Sequence, residues 1–457
     1  MTTYSAARRP ATGTSSVDDE GTAAAAMQKS FWRLLPVILL CYMTMNIDRI
    51  NVSFAALEMN RELGFSPNVF AFGAGLFFIG YAVCEIPSNM MLRRIGARIW
   101  ISRIMVTWGL LSAASAAVSN PTQFYLARVC LGVAEAGFVP GMILYFTYWF
   151  PAKMRARVVA CMVIGSPIGS MIAAPLSAWL LGLNGLGLSG WQWMFILEAA
   201  PAVLLGFIVL LLLPSSPLAA GWLSDNERRC LTQLLEQERA LLGTAVKHTF
   251  LEGILDPKVI IFVLANLFWS CGLYGSLIWL PLILKSFGFS NIQVGWLASV
   301  PPAVSILAML AWSWNSDRTG ERVWHLVAGA LIGGVAFSLS AYFTTRPMIS
   351  LLAILVATIG LYGWAAVFWS LPQTFLSGSA AASGFALISS VGSLGGFFGP
   401  NLVAGLKVLL GSFQYSLFAL SCCLVAAALT VTYFGIRYRD EIRKLRLTHS
   451  QRPTPAS

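Results

Sequence analysis

The feature that most constrains this chain is a succession of apolar stretches, each long enough to cross a lipid bilayer as an α-helix. A helix needs about 20 apolar residues to span the hydrocarbon core. Charged residues, prolines and glycines divide the sequence into twelve such stretches. The predicted spans are residues 32–57, 69–91, 99–118, 122–149, 157–181, 191–213, 258–284, 291–314, 322–343, 348–371, 381–406 and 412–436.

The composition agrees with a chain embedded in a membrane. Hydrophobic residues make up 57% of the 457 residues and charged residues only 11%, whereas soluble proteins carry about 25% charged residues. The sequence therefore predicts an all-α membrane protein whose twelve transmembrane helices form two six-helix bundles. The formal net charge of +11 indicates basic loops on one side of the membrane rather than nucleic-acid binding.

Basic residues are concentrated in alternate loops and in the C-terminal tail, while the opposite loops carry few of them. The basic loops contain Arg93, Arg94, Arg98, Lys153, Arg155, Arg157, Arg318 and Arg322, and the tail contains Arg437, Arg439, Arg443, Lys444 and Arg446. The positive-inside rule then places both termini in the cytoplasm, and we expect the membrane to be a bacterial inner membrane.

The expected organisation follows from one long polar connection. We expect a disordered N-terminus (1–30), a six-helix bundle (31–213), a linker with an amphipathic helix starting at Asp225 (214–257), a second bundle (258–436) and a tail (437–457). Both bundles have a basic loop after their second span. Two similar halves are what a transporter needs when it opens alternately to the two sides of a membrane.

The sequence contains no pattern that is typical of an enzyme or a metal site. Its eight cysteines form no CxxC pair, and its histidines, at 248, 325 and 449, lie near loops or the tail. No phosphate-binding glycine–lysine loop is present. We therefore expect no catalytic residues, no metal and no cofactor.

Several ionisable residues lie deep within spans of the first half, among them Asp48, Arg49, Glu85, Arg128, Glu135 and Glu198. Each charge costs about 2.5–3.5 kcal/mol in the hydrocarbon, so such residues are usually paired or functional. Coupling chemistry is therefore expected in the first half, and neutral polar and aromatic contacts in the second.

In the first span, Tyr42, Asn46 and Arg49 share one helix face, and we predict that they contact the substrate. Asp48 points about 100° away from Arg49, so it needs a partner on another helix. A structural Asp–Arg bracket between two helices is the alternative.

In the fourth span, Arg128 and Glu135 share a face but lie about 10 Å apart along the axis. Protonation of a carboxylate could release Arg128 from Asp48 or Glu135 by turns, which would couple transport to protons. The alternatives are a fixed helix–helix hydrogen bond for Glu135 and a structural Arg128 that reaches the membrane interface.

Further candidates are less specific. Tyr81 is a ligand donor or a packed aromatic residue, Glu85 is a gate or a loop anchor, and Glu198 is assigned an interhelical structural role. From the second half, Trp369 with Ser370 are candidate substrate contacts. Asn401, directly after Pro400, either contacts the substrate or pairs with a freed backbone carbonyl.

Three motifs resemble the anion:cation symporter branch of the major facilitator superfamily: Asn46-Ile-Asp48-Arg49-Ile-Asn51, Gly80–Asn89 and Arg128–Gly141. The resemblance covers about Trp32 to Tyr438. It implies that Asp48 and Glu135 take protons, that Arg49 binds the substrate carboxylate near Tyr81, that Trp369 and Asn401 contact it from the other half, and that Arg128 tunes the carboxylates.

Two positions depart from the pattern of this superfamily and branch. Arg93, before Arg94, stands where the loop after the second span usually has an acidic residue, whereas the second half keeps Asp317-Arg318. We therefore expect the cytoplasmic gate to depend more on Asp317 and Arg318. The seventh span also lacks the arginine of the glutamate-type carriers in this branch.

The sequence thus predicts a monomeric transporter that imports a small organic carboxylate, a hydroxy or sugar acid of the tartrate type, together with protons. An aromatic-acid symporter of the phthalate, nicotinate or hydroxyphenylacetate type is the alternative. A proton-driven exporter of lipophilic cations is disfavoured because it would need an acidic cavity without Arg49.

Substitution of Asp48 tests the expected coupling to protons. We expect Asp48→Asn to abolish uptake driven by a pH gradient, because the amide cannot carry a proton. Accumulation in proteoliposomes measures this directly, and accumulation equal to that of the unmodified protein would remove Asp48 from the coupling mechanism.

Overall fold

The computed structural model describes residues 15–242, 256–375 and 378–443, and almost all of them are helical. The helices are α1 (Ser15–Glu62), α2 (Pro67–Ile95), α3 (Ala97–Ala114), α4 (Pro121–Glu135), α5 (Phe138–Thr147), α6 (Ala152–Val163), α7 (Gly165–Leu180), α8 (Gly190–Leu212), α9 (Asp225–Leu242), α10 (Pro257–Ser286), α11 (Asn291–Thr319), α12 (Val323–Tyr342), α13 (Pro347–Phe368), α14 (Ser370–Phe375), α15 (Gly378–Ser393), α16 (Gly395–Leu410) and α17 (Phe413–Arg437).

Twelve helical stretches are long and apolar enough to cross a membrane, which confirms the predicted fold class. Large apolar side chains face outward along them, including Leu211, Leu307 and Leu409, each at least 70% exposed. Such a surface suits lipid rather than water.

Several helices begin where local side chains satisfy the first backbone N–H groups. Ser66 accepts a hydrogen bond from the Val69 N–H, and Asn120 accepts one from the Gln123 N–H. Ser290 and Gln293 form a reciprocal capping box at the start of α11. These caps matter because lipid offers no hydrogen-bond partner to an open helix end.

The predicted N-terminal boundary is corrected by the structure. We expected no order before about residue 31, but α1 starts at Ser15 and continues without a break to Glu62. Alanines at 23–26 favour helix, and Lys29 Nζ donates to Glu227 Oε1 of α9 at 2.5 Å. Residues 1–14 of the predicted N-terminal segment, 243–255 of the linker and 444–457 of the tail lie outside the described residues.

Four spans are interrupted, and the interruptions occur at corresponding places in the two halves. The fourth and tenth spans break into α4–α5 and α13–α14, and the fifth and eleventh into α6–α7 and α15–α16. Discontinuous helices at equivalent positions of two repeats often mark the binding site of a transporter.

The two halves contact each other through a few helices. The cross-half pairs are α7 with α11, α2 with α16 and α15, and α1 with α10. Within each half, glycines allow closer packing. A Cβ on Gly132 of α4 would lie 2.0 Å from the Phe77 carbonyl oxygen of α2, and a Cβ on Gly399 would lie 2.3 Å from that of Cys271.

The linker helix α9, predicted from the charged run at Asp225, is attached to the first half. Glu238 forms an ion pair with Arg155 and accepts the Ala152 N–H, which caps the start of α6. At the other end of α9, the hydrogen bond from Lys29 lowers the pKa of Glu227 below its usual value. The helix therefore belongs mechanically to the first bundle.

The close α2–α4 contact yields a stability prediction. Gly132→Ala should lower the midpoint of thermal unfolding, because overpacking a tight contact costs about 1–3 kcal/mol. Gly405→Ala on α16 is the matched control, since its Cβ would meet no atom within 4 Å and alanine favours helix by about 1 kcal/mol. Equal midpoints for the two purified variants would contradict the packing argument.

Candidate functional site

A cavity of about 240 Å³ lies between the two halves, beside the interrupted spans. Its polar wall comes from the first half and its aromatic wall mainly from the second. The principal lining residues are Tyr42, Asn46, Arg49, Arg128 and Ser166 on the first side, and Trp269, Tyr274, Tyr362 and Trp369 on the second.

The strongest electrostatic contact at this cavity joins Arg49 of α1 to Glu135 of α4. Arg49 Nε and Nη2 both lie 2.6 Å from Glu135 Oε1, and the carboxylate side chain is only 1% exposed. Glu135 is the last residue of α4. After it, Gly137 adopts φ +84°, and a Cβ there would lie 2.4 Å from Ser88 Oγ, so glycine allows the turn that places Glu135 at the cavity.

Arg128 is the second guanidinium of the cavity, and its charge is not balanced by a close carboxylate. It is 3% exposed, its carbon Cζ lies 5.0 Å above the Phe77 ring, and its Nε has no hydrogen-bond partner. Among the described residues no carboxylate lies within 4 Å of it. The cavity therefore has an excess of positive charge.

Asp48 lies apart from the cavity lining, fully buried against α3. Its carboxylate accepts hydrogen bonds from Trp108 Nε1, from Ser112 Oγ at 2.8 Å and from Asn51 Nδ2 at 3.1 Å. The expected partner on another helix is therefore present, and it is neutral. In this conformation Arg128 pairs with neither Asp48 nor Glu135, so the proposed exchange of partners stays a prediction.

Several of the other predicted contacts do lie at the cavity. Tyr42, Asn46 and Trp369 line it, and Asn46 Oδ1 accepts the Ser166 hydroxyl at 2.7 Å. Tyr81 is not part of the lining. Its ring lies 5.1 Å from Arg49 Cζ, where it supports the guanidinium from behind.

Two predicted substrate contacts do not line the cavity in this conformation, and for Asn401 the alternative of a backbone-carbonyl partner is the one observed. Ser370 Oγ donates to the Val367 carbonyl, and the Ser370 carbonyl accepts from Arg322. Asn401 donates to the Phe397 carbonyl one turn earlier at 2.7 Å and to the Ala71 carbonyl of α2 at 3.4 Å. Both side chains are occupied by backbone partners, so neither is available to a ligand here.

Four polar residues at the cavity were not assigned to the site from the sequence: Ser166, Ser170, Tyr274 and Tyr362. Ser166 follows the break between α6 and α7, inside the small-residue pattern Gly165–Gly169. That pattern indicated only close packing. Tyr274 and Tyr362 lie in spans without charges. There the spacing of residues does not show whether a tyrosine lines a cavity or packs against another helix.

Of the five predicted gate residues, Glu85 contacts the other half and the remaining four are exposed. Glu85 of α2 accepts hydrogen bonds from Ser389 Oγ at 2.9 Å and Ser390 Oγ at 2.8 Å on α15. Arg93, Arg94, Asp317 and Arg318 are exposed, and within the described residues none forms an ion pair. Their gating roles stay predictions.

The Glu85 contact predicts how the halves are held together at this point. Replacing Ser389 and Ser390 by alanine removes two hydrogen bonds to a charged group, each worth about 1.5–3 kcal/mol. A cysteine introduced by Ser166→Cys, in a background without the native cysteines, should then react about tenfold faster with a thiol reagent.

Ser393→Ala is the matched control, because the Ser393 hydroxyl bonds only to the Ser390 carbonyl of its own helix. Its labelling rate should equal that of the parent. Unchanged labelling in the Ser389/Ser390 double variant would show that Glu85 does not hold the halves together.

Known proteins are similar to this chain over most of its length. The family model of the Major Facilitator Superfamily matches residues 35–400. A protein of Agrobacterium vitis named "Putative tartrate transporter" is 45% identical over 410 residues, which are 89% of this chain and 91% of the relative. The "Quinolone resistance transporter" of Acinetobacter baumannii is 38% identical over 424 residues, 92% of this chain and 97% of the relative.

The fold is also that of a solved transporter structure. The xylose transporter XylE from E. coli, in a partially occluded inward open conformation, superposes with a TM-score of 0.72 at 17% identity, covering 89% of this chain and 98% of XylE. At that identity the likeness concerns the fold alone. The family match over residues 35–400 and the relatives at 45% and 38% identity establish that the chain belongs to the major facilitator superfamily and is a multi-pass membrane transporter, not an enzyme.

Proposed function

We propose that the protein imports a small organic carboxylate together with protons, as a monomer in a bacterial inner membrane with both termini in the cytoplasm. The observation that carries this proposal is the charge of the cavity. Two guanidinium groups face it, Arg49 and Arg128, but only Arg49 has a close carboxylate. A buried excess of positive charge favours an anionic ligand.

The Arg49–Glu135 ion pair supplies a way to couple the anion to a proton. A substrate carboxylate that binds Arg49 competes with Glu135 for the same guanidinium. Protonation of Glu135 removes that competition, so proton and anion bind together more favourably than either binds alone. The two cargoes are therefore linked through a single side chain.

The membrane potential explains why such coupling is needed. Moving one negative charge inward against 100 mV costs about 2.3 kcal/mol. One proton makes the entry of a monoanion electroneutral, and two make it favoured by the potential. Asp48 and Glu135 are the two carboxyls that would carry them.

The cavity size and its hydroxyl and amide groups favour a hydroxy or sugar acid. A volume of about 240 Å³ lies below the roughly 300–1,000 Å³ of sites for drug-sized ligands. Tyr42 and Tyr362 offer hydroxyl groups suited to substrate hydroxyls, whereas Asn46 and Ser166 bond to each other and Asn46 also donates to the Tyr42 carbonyl. The similarity to the tartrate transporter supports the same class.

An aromatic acid is the second candidate, because the wall from the second half is aromatic. Trp269, Tyr274, Tyr362 and Trp369 present ring surfaces that could stack on a planar substrate. Export of a lipophilic cation fits poorly with two guanidinium groups in the cavity. Export of an anionic or zwitterionic compound stays open to test, given the relative named for quinolone resistance.

The proposal can be tested with purified protein in proteoliposomes that contain a pH-sensitive dye. A panel of hydroxy, sugar and aromatic acids is added outside at fixed pH, with protein-free vesicles as the control for passive leak. Protein-dependent acidification by one class identifies the substrate and establishes proton symport. A response to organic cations alone would reject the proposal.

Arg128 yields the sharpest prediction for this site. Arg128→Gln should raise the concentration for half-maximal transport by about tenfold or more, because it removes the unbalanced positive charge from a buried cavity. Arg103→Gln is the matched control: it removes the same charge from α3, where Arg103 lies over the Trp100 ring outside the cavity lining. Equal losses in both variants would indicate a general effect of charge on folding.

A further inference from the structure

A buried carboxyl that the proposed mechanism does not use lies next to Asp48. Glu198 of α8 is 2% exposed. Its Oε1 accepts a hydrogen bond from Ser177 Oγ of α7 at 2.6 Å, whereas its Oε2 is buried without a hydrogen-bond partner. A carboxylate so placed would leave a charged oxygen unsatisfied in a membrane interior.

Asn51 connects this carboxyl to Asp48. Its side chain is fully buried, lies beside the Glu198 carboxyl, and donates through Nδ2 to Asp48 Oδ1 at 3.1 Å. The other end of the amide, Oδ1, is a buried acceptor without a donor. A polar chain therefore runs from Ser177 through Glu198 and Asn51 to Asp48, and it joins α7, α8, α1 and α3.

The charges of this row of polar side chains require Asp48 or Glu198 to be protonated. Within the described residues, no Lys, Arg or His forms an ion pair with Asp48 or Glu198. Arg128 acts on Asp48 only through a longer-range Coulomb interaction and not on Glu198, so two neighbouring buried anions would repel each other and lose their hydration. The two carboxyls are therefore expected to share one proton.

The hydrogen bonds indicate which carboxyl holds that proton. Asp48 accepts from three donors, Trp108, Ser112 and Asn51, and this arrangement favours the ionised form. Glu198 has one donor, Ser177, and its Oε2 has no partner, as Asn51 Oδ1 has none. A proton on Glu198 Oε2 would remove the unpartnered negative charge.

We propose that Glu198 is a further proton-carrying residue, which holds a proton in this conformation and exchanges it with Asp48. The proton leaves Glu198 Oε2 and is taken up by the Asp48 carboxylate, so that the negative charge moves from Asp48 to Glu198. Asn51 can stabilise either state by turning its amide. It donates through Nδ2 to the ionised carboxyl and accepts through Oδ1 from the protonated one. This inference rests on the proposed proton coupling at Asp48.

The positions along the helices give the exchange a direction. The start of α8 and the end of α1 lie on the same side of the bundle. Glu198 lies eight residues, about 12 Å, from the start of α8, whereas Asp48 lies fourteen residues, about 21 Å, from the end of α1. Further towards that side lie Glu58, which accepts from Asn291, and Glu62, which accepts from Ser189 and Trp191. Glu198 is thus the relay on the side opposite the termini.

Infrared spectroscopy of the purified protein tests the proton on Glu198 without any substrate. Protonated carboxyls absorb separately from carboxylates. We expect Glu198→Gln to remove one carboxylic-acid band, and Ser177→Ala, which deletes the hydrogen bond to Oε1, to shift that band without removing it. A spectrum unchanged by Glu198→Gln would overturn the proposal.

Transport then separates a proton carrier from a static structural carboxyl. Glutamine can occupy the same space and donate to Asn51, so Glu198→Gln should keep substrate exchange across vesicles without a pH gradient. Accumulation driven by a pH gradient should fall by about tenfold or more, and Glu198→Asp should restore part of it. Undiminished gradient-driven accumulation in Glu198→Gln would overturn the proposal. Failure of the unmodified protein to accumulate any acid would instead reject the proposed function, and the infrared result would still stand by itself.

Discussion

The ion pair between Arg49 and Glu135 is the interaction on which the arrangement of the cavity depends. A guanidinium in the hydrocarbon is costly unless a partner compensates it, and Glu135 supplies that partner at 2.6 Å. The pair joins α1 to the end of α4, and the break in the fourth span at Gly137 places the carboxylate there. Because the Glu135 carboxylate is paired with Arg49, Arg128 faces the cavity without a close carboxylate.

The interrupted spans relate this local chemistry to movement between the halves. The breaks at α4–α5 and α6–α7 in the first half recur at α13–α14 and α15–α16 in the second. Ser166 and Trp369 stand at two of these breaks and line the cavity. A continuous helix would transmit a bend along its whole length, whereas a break lets one segment move relative to the other. Changes in the occupancy of the cavity can therefore alter the contact that Glu85 makes with α15.

The sequence predicted the elements that follow from hydropathy and charge, and it failed where local bonding decides. Twelve spans and the placement of charges in the first half follow from the cost of polar groups in lipid. That Asp48 needed a partner on another helix followed from its position about 100° from Arg49. Ser370 and Asn401 do not line the cavity in this conformation, because nearby backbone carbonyls compete for their side chains, and residue type does not reveal the outcome of this competition. Ser166 was missed because Pro167, which follows it at the break between α6 and α7, indicates a kink but does not reveal which side chains face the cavity.

The two buried carboxyls of the proposed mechanism occupy different electrostatic surroundings, and this difference suits them to different tasks. Glu135 is held by a cation at the cavity, so its protonation changes the charge that a ligand meets. Asp48 is held by three neutral donors behind the cavity, so its protonation changes the charge inside the first bundle without touching the ligand. A group of the first kind can make anion binding depend on pH, and a group of the second kind can store a proton while the ligand site is open to either side. Two such groups separated by Arg128 keep the binding of the anion and the passage of the proton distinct, while Coulomb interactions through that guanidinium still connect them.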